Sequence, residues 1–469
     1  MNQQTPYDDS QADPARLAEL DRRVVWHAFT QMADYEPLII EQADGCELID
    51  IDGNRYLDGV SSLWCTVHGH NHATINAAIE QQLKRVAHVT SLGMSNPTTI
   101  ALAERLVELT PEGLGHVFFS SDGASAIEVA LKMAFQYWRQ TTPARPDKSL
   151  FVALGGAYHG DTLGSVSVGG VTRFHEMFQP LLFDVLRGPL PDSYRLPEHV
   201  GPDQAADYYL DQLDQLLSEH QQQIAAVIVE PLVQGAAGMV MHPPGFLAGV
   251  RRLTRQYGLL MIADEVAVGF GRTGTMFACQ QEQVSPDLLC LGKGLSGGYL
   301  AMAATLASSE IFEAFLGSGD ASRTFYHGHT YGGNPLAAAA ALASLEVFSE
   351  EQTLARLPAK IELLADQLKP LWNLPLVGDI RQCGLLAAIE LVADKETRQP
   401  LPAAEQTGAR VCQLAQQQGV WLRPLRDVLV VMPPLSVSDE QICRIVDTLA
   451  AAIAEIGQKV DIEQGGGRG

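Results

Sequence analysis

Three apolar runs in the middle of the chain, 224–230 (IAAVIVE), 259–265 (LLMIADE) and 287–293 (DLLCLGK), each stop at a charged residue. They have the length of strands buried on both faces. The stretches between them, such as 244–257, space their apolar residues as helices do. That alternation predicts an α/β fold, a mostly parallel central sheet flanked by helices. Ligands of such sheets bind outside the carboxyl ends of the strands, so Glu230, Asp264 and Lys293 are expected to share one cleft.

Lys293 is the residue in this set with the most pointed chemistry. The chain has eight lysines, and the other seven (Lys84, Lys132, Lys148, Lys360, Lys369, Lys395, Lys459) stand in polar helical, loop or tail contexts that suggest charge and solubility. Lys293 instead ends an apolar run and is flanked by Gly292 and Gly294. Desolvation disfavours the ammonium form and exposes the neutral amine that forms imines with carbonyl compounds. The residue pattern alone leaves open a lysine that merely snorkels out of a strand end. Upstream, 116–121 (HVFFSS) reads as another strand, followed by Asp122-Gly-Ala-Ser125 and a helix over 126–140 whose start has a Ser125–Glu128 capping box. A glycine turn opening a helix presents free N–H groups and the positive end of the macrodipole, so Gly123, Ala124 and Ser125 form a candidate phosphate cradle. Asn334 and Pro335 mark a further helix start, as cap and first residue, and leave Thr330 in the loop before it.

Other motifs point elsewhere. Residues 269–274 (GFGRTG) fit G-x-G-x-x-G after a strand, with Asp287 near the position of a ribose-binding acid, which keeps a nicotinamide-dependent oxidoreductase as the rival reading. Against it, the strand before ends in acids that repel a pyrophosphate, and 275–286 (TMFACQQEQVSP) is a poor helix to receive one. The lysine loop is not a Walker A loop, since position 287 is Asp and no Ser or Thr follows Lys293. The histidine groups at 68–72 (HGHNH) and 327–329 (HGH) lack a carboxylate at ligand spacing and read as glycine-rich loops, so no metal is expected.

A formal charge of −23 over 469 residues disfavours nucleic acid or an anionic membrane as partner. No apolar run approaches the ~18 residues of a membrane helix, and the acidic N-terminus has no signal-like apolar core, so a cytoplasmic protein is expected. Seven cysteines without a C-x-x-C pair suit a reducing compartment. Breaks near 75 and 346 divide the chain into a large central domain, 76–345, and a smaller domain assembled from 1–75 and 346–460. Residues 461–469 are expected to form a disordered tail.

An imine-forming lysine, a strand-end acid 29 positions before it and a phosphate cradle upstream together ask for pyridoxal phosphate. The chain resembles the class III, fold type I aminotransferases over nearly its full length, through 262–266 (IADEV) with 269–274, 292–294 (GKG) and 333–335 (GNP). Within that class, 26–32 (WHAFTQM), 58–64 (DGVSSLW), 132–138 (KMAFQYW), 158–162 (YHGDT), 419–424 (GVWLRP) and 432–434 (MPP) are similar to the branch of the biotin pathway. The resemblance implies a homodimer with shared active sites that converts 8-amino-7-oxononanoate to 7,8-diaminononanoate with S-adenosylmethionine as amino donor. Lysine as donor, or an ω-amino acid or diamine substrate, are the alternatives. It implies Lys293 as cofactor anchor and proton carrier, Asp264 on the pyridine nitrogen, Tyr158 against the ring, and Glu230 beside the cofactor. Gly123 and Ala124 would take the phosphate, with His329 and Thr330 contributed across the dimer. Phe29, Leu63, Trp64, Asp161, Arg272 and Gly328 would line the substrate pocket, and Arg423 would hold the substrate carboxylate. Two positions depart from the pattern: many members carry tyrosine where Phe29 stands and a Trp-Trp pair where Leu63-Trp64 stands.

Overall fold

The computed structural model describes residues 13–465. Its centre is a seven-stranded sheet of β1 (Leu114–Ser120), β2 (Leu150–Leu154), β3 (Val185–Gly188), β4 (Ile224–Val229), β5 (Leu260–Asp264), β6 (Leu288–Leu291) and β7 (Ala303–Ser308), in the order β1-β7-β6-β5-β4-β2-β3. All pairings are parallel except those of β7, which runs antiparallel between β1 and β6. Every residue of β4, β5 and β6 is buried, as strands covered by helices on both faces must be. The fold is the mixed α/β architecture that the apolar runs predict.

Register decides which strand-end residues meet. Ala263 pairs with Val229 and Asp264 with Cys290, so Glu230, Asp264 and Lys293 leave three adjacent strands at the same edge. The turn after β1 and the loop after β2 open at that edge too.

Helix α1 (Gly123–Gln140) lies against the sheet, its first turn pinned from below. The Ala126 carbonyl accepts the Thr305 hydroxyl of β7 at 2.8 Å and faces Cys290 Sγ of β6 at 3.5 Å. The cap is not the box expected at Ser125. It is Asp122, whose Oδ1 accepts the Ser125 N–H and hydroxyl, both at 2.8 Å. Glu128 reaches away from the cap, its Oε1 accepting Thr162 Oγ1 at 2.6 Å and Gly164 N–H at 2.8 Å, which ties α1 to the loop after β2. Helix α2 (Pro335–Glu350) starts as its sequence dictates, with Pro335 first and Asn334 Oδ1 accepting the N–H groups of Leu336 and Ala337.

Outside the large sheet, strands Ile40–Asp44, Glu47–Asp50 and Arg55–Asp58 form an antiparallel set to which Val420–Trp421 adds in parallel. Strands Val377–Cys383, Leu386–Asp394, Val428–Val431 and Arg423–Leu425 form a second antiparallel sheet. The final helix runs Asp439–Gly465, so residues 461–465 of the expected tail are helical and 466–469 lie outside the described residues. Among the described residues no helix is long and apolar enough to cross a membrane.

Candidate active site

Lys293 follows β6 by one glycine and adopts φ 41°, a left-handed backbone that a residue with a Cβ holds only when its surroundings enforce it. Ser61, Ser62 and Trp64, on the segment facing it, also have positive φ. Lys293 Nζ lies 5.4 Å from the centre of the Trp64 ring and has no hydrogen-bond partner among the described residues. Burial lowers its pKa from the ordinary lysine value, while the charges of Asp264 and Glu230 pull the other way. The amine is thus half-buried, unpaired and inclined toward its neutral form.

Asp264 is held from two sides, Oδ1 accepting the Val266 N–H at 3.0 Å and Oδ2 lying 2.7 Å from His159 Nδ1. The other ring nitrogen of His159, Nε2, is buried without a partner. His159 escapes the sequence reading. Its signal was its place between Tyr158 and Gly160 just after a buried strand. Glu230 clamps two loops, Oε1 accepting the Tyr158 N–H and Oε2 the Gly235 N–H, both at 3.0 Å. Burial pushes its pKa up to about 7. Its neighbour Glu265 faces away from the cleft and accepts the N–H groups of Ala278 and Cys279, both at 2.7 Å.

The pyridoxal phosphate implied by the resemblance fits these residues. The N–H groups of Gly123 and Ala124, the first of α1, have no intrahelical acceptor and open toward an anion. A Cβ on Gly123 would lie 2.6 Å from Val266 Cγ1, and one on Gly160 2.4 Å from the Ala124 Cβ, so glycine alone lets these backbones close around the helix start. Asp264 supplies a buried carboxylate for a protonated ring nitrogen, and Lys293 the amine.

The expected substrate-side residues spread around this centre. Tyr158 donates its hydroxyl to Asp161 Oδ2 at 2.7 Å and lies nearly parallel to the buried His175 ring. Phe29 is 56% exposed and meets Phe174 edge to face at 5.3 Å, and Phe174 in turn meets Tyr158. Leu63 is 43% exposed, whereas Trp64 is buried. Arg272 is fully buried, donating to the carbonyls of Pro433 at 2.6 Å and Thr66 at 2.8 Å, with Nε as its unpartnered nitrogen. Arg423 is half-buried with no ion pair or hydrogen bond to its guanidinium among the described residues. Gly328 and Thr330 are exposed. His329 faces His327 at 3.2 Å, which meets Lys132 Nζ at 3.0 Å.

Two motifs are absorbed by packing. The glycine motif 269–274 is no phosphate loop: a Cβ on Gly271 would sit 2.6 Å from Leu435 Cδ1, and only a short 3₁₀ turn, Ala278–Glu282, follows. In 68–72, His68 contacts Ser344 Oγ, His70 Asp58 and His72 Glu351. One lysine was misjudged. Lys148, expected at the surface, is fully buried, its Nζ donating to the carbonyls of Gln221, Ile224 and Gly258.

Comparison with known proteins agrees with this geometry. The profile of the family "Aminotransferase class-III" matches residues 29–453. An adenosylmethionine-8-amino-7-oxononanoate aminotransferase of Nitratidesulfovibrio vulgaris is 54% identical over 94% of this chain and 82% of its own length. One of Aquifex aeolicus is 51% identical over 96% of this chain and 99% of its own. The crystal structure of the Methanocaldococcus jannaschii aminotransferase of the same name superposes with a TM-score of 0.89 at 42% identity, covering 94% of this chain and 99% of that one. An (S)-enantioselective omega-transaminase from Thermomicrobium roseum gives 0.90 at 33% identity, covering 95% and 99%. By sequence and by fold, the chain belongs to the class-III aminotransferases.

Proposed function

We propose that this aminotransferase converts 8-amino-7-oxononanoate to 7,8-diaminononanoate, using pyridoxal phosphate and taking its amino group from S-adenosylmethionine. The observation that carries the chemistry is the juxtaposition of the half-buried, unpaired Lys293 amine with Asp264 at adjacent strand ends. The substrate choice is supported by relatives of that name at about half identity over nearly the whole chain. When bound, pyridoxal phosphate supplies an electron sink and a carbonyl carbon on which the amino group is carried from donor to acceptor.

The chain's own residues do the rest. Lys293 Nζ would anchor the cofactor and would take up and return the proton at the substrate's reacting carbon. Asp264 would keep the ring nitrogen protonated, and His159 fixes the carboxylate that would do so. The N–H groups of Gly123 and Ala124 would hold the phosphate. Tyr158 lines the ring, its backbone fixed by Glu230 and its hydroxyl by Asp161. Arg423 brings a free planar fork to the acceptor's carboxylate. In the homodimer that this reading requires, His329 and Thr330 complete the phosphate site of the other subunit, and Gly328 lines its substrate pocket. Residues 76–345 would form the cofactor-binding body, with 1–75 and 346–460 as the smaller domain.

The test is product formation by the purified holoenzyme from 8-amino-7-oxononanoate and S-adenosylmethionine, together with rescue of a strain blocked at this biotin step. Product and rescue are expected. Turnover of ω-amino acids or diamines with no 7,8-diaminononanoate would overturn the substrate assignment and leave the aminotransferase standing.

A further inference from the structure

Arg381 lies outside every residue assigned above, yet it joins the two ends of the site. Its Nε donates to the Met239 carbonyl at 2.7 Å and its Nη2 to the Gly238 carbonyl. Its Nη1 faces Asp379 at 2.7 Å and Glu390 at 2.8 Å, and Glu390 also pairs with Arg195. Gly238 and Met239 belong to a tight turn, both donating their N–H groups to the Gly235 carbonyl, at 3.1 and 2.8 Å. Gly235 backs the active site: its own N–H is bound by Glu230, and a Cβ on it would come 3.1 Å from Trp64 Cζ3. Trp64 in turn walls Lys293.

The other end is reached through the sheet. Arg381 pairs with Ala388, Ala388 with Val430, and Val430 with Arg423. Residues paired directly across antiparallel ladders project from the same face, so Arg381 and Arg423 stand in one row, three strand spacings or roughly 14 Å apart. The sheet that carries Arg423 is therefore fastened to the turn behind Trp64 through one guanidinium. Arginine suits the task because its fork serves two carbonyls while its charge serves two carboxylates.

We infer that Arg381 is a positioning residue that sets the reach from Lys293 to Arg423, and so selects for an acceptor whose carboxylate is remote from its reacting carbonyl. The inference rests on the reading of Arg423 given above. The donor, whose carboxylate adjoins its reacting carbon, does not span that distance. A displaced Arg423 weakens acceptor binding and leaves the donor half-reaction alone.

The test is Arg381→Lys in the holoenzyme, which keeps a cation beside Asp379 and Glu390 but cannot bond both carbonyls and both carboxylates. The KM for 8-amino-7-oxononanoate is expected to rise about tenfold, with kcat and the single-turnover rate for the donor within about twofold of the parent. Should that variant not fold, Glu390→Gln keeps the guanidinium, removes one of its anchors and is expected to move the same KM in the same direction. An unchanged acceptor KM, or equal losses in both half-reactions, overturns the inference. A parent enzyme that makes no 7,8-diaminononanoate overturns the substrate reading, and this inference with it.

Discussion

Lys148, fully buried, and Lys293, half-buried, differ in a way that decides their chemistry. Lys148 is capped by three backbone carbonyls and lies 4.5 Å from the Trp138 ring, so each of its N–H bonds has a partner. Lys293 also faces a ring, that of Trp64, but has no carbonyl partner, and an amine without acceptors is free to attack a carbonyl carbon. Borohydride treatment of the holoenzyme followed by peptide mapping is therefore expected to fix the cofactor on Lys293 alone. Lys293→Ala should abolish turnover with the fold intact, and label found on Lys148, or retained by the variant, would refute the assignment. The sequence supports only half of this distinction, because 146–149 (PDKS) looks like a solvated loop and its carbonyl cage is assembled from residues more than seventy positions away. The donor pocket raises a second residue-scale question. By the family resemblance, Leu63 stands where many members carry an aromatic face that would hold a sulfonium, a contact worth about 0.5–2 kcal/mol or up to roughly thirtyfold in binding. With Leu63 and Phe29 both exposed, lysine is expected to compete as donor. Single-turnover conversion should be detectable with lysine as well as S-adenosylmethionine, and Leu63→Trp should favour the latter. Absence of any lysine half-reaction at high concentration would make both replacements neutral.

At the scale of elements, the site depends on α1 keeping its place beneath the loop after β2. Gly160, at φ 118°, lets that loop pass over the helix start. Gly160→Ala puts a methyl group 2.4 Å from the Ala124 Cβ, so loop or helix must shift at the position proposed for the phosphate. The expected outcome is a folded protein that loses pyridoxal phosphate on gel filtration, read from the visible absorbance retained. Full retention would place the phosphate elsewhere. The three buried runs and the Asn334 cap were legible in the sequence because burial on both faces and cap chemistry are local signals. Strand β7 was not: 303–308 (AATLAS) is too rich in small residues to stand out, and its position between β1 and β6 comes from pairing with both. The Asp122 cap was missed for a related reason, since Ser125 and Glu128 have capping-box spacing while the backbone places Ser125 inside the helix.

At the scale of the whole molecule, buried ionisable groups set opposing dependences of stability on pH. Desolvation lowers His242 from 6.5 to about 3 and His68 from 6.5 to about 4. Below pH 6.5 the unfolded chain binds protons that these buried rings refuse, so their contribution to stability falls as the pH drops. Desolvation raises Glu230 and Glu265 from 4.5 to about 7. These two carboxyls hold protons that the unfolded chain has released, so their contribution is full below pH 4.5 and is lost as the pH rises through about 7. Between pH 4.5 and 6.5 the two carboxyls offset His242 and His68, while the lowered His116, His175 and His327 tip the balance toward loss as the pH falls, each uncompensated proton changing stability by about 1.4 kcal/mol per pH unit. Below pH 4.5 the carboxyl effect is exhausted while the histidine effect continues. Asp50 and Glu390, whose pKa values are lowered by hydrogen bonds and by nearby arginines respectively, add to the loss there. Urea midpoints are thus expected to decline gently from pH 6.5 to 4.5 and to fall steeply below. Glu265→Gln removes one compensating carboxyl outside the cofactor cleft, so its midpoint should decline more steeply than the parent's from pH 6.5 downward. A variant profile parallel to the parent's between pH 4.5 and 6.5 would mean that Glu265 is ionised in the folded protein, and its bonds to Ala278 and Cys279 would then be those of a buried carboxylate.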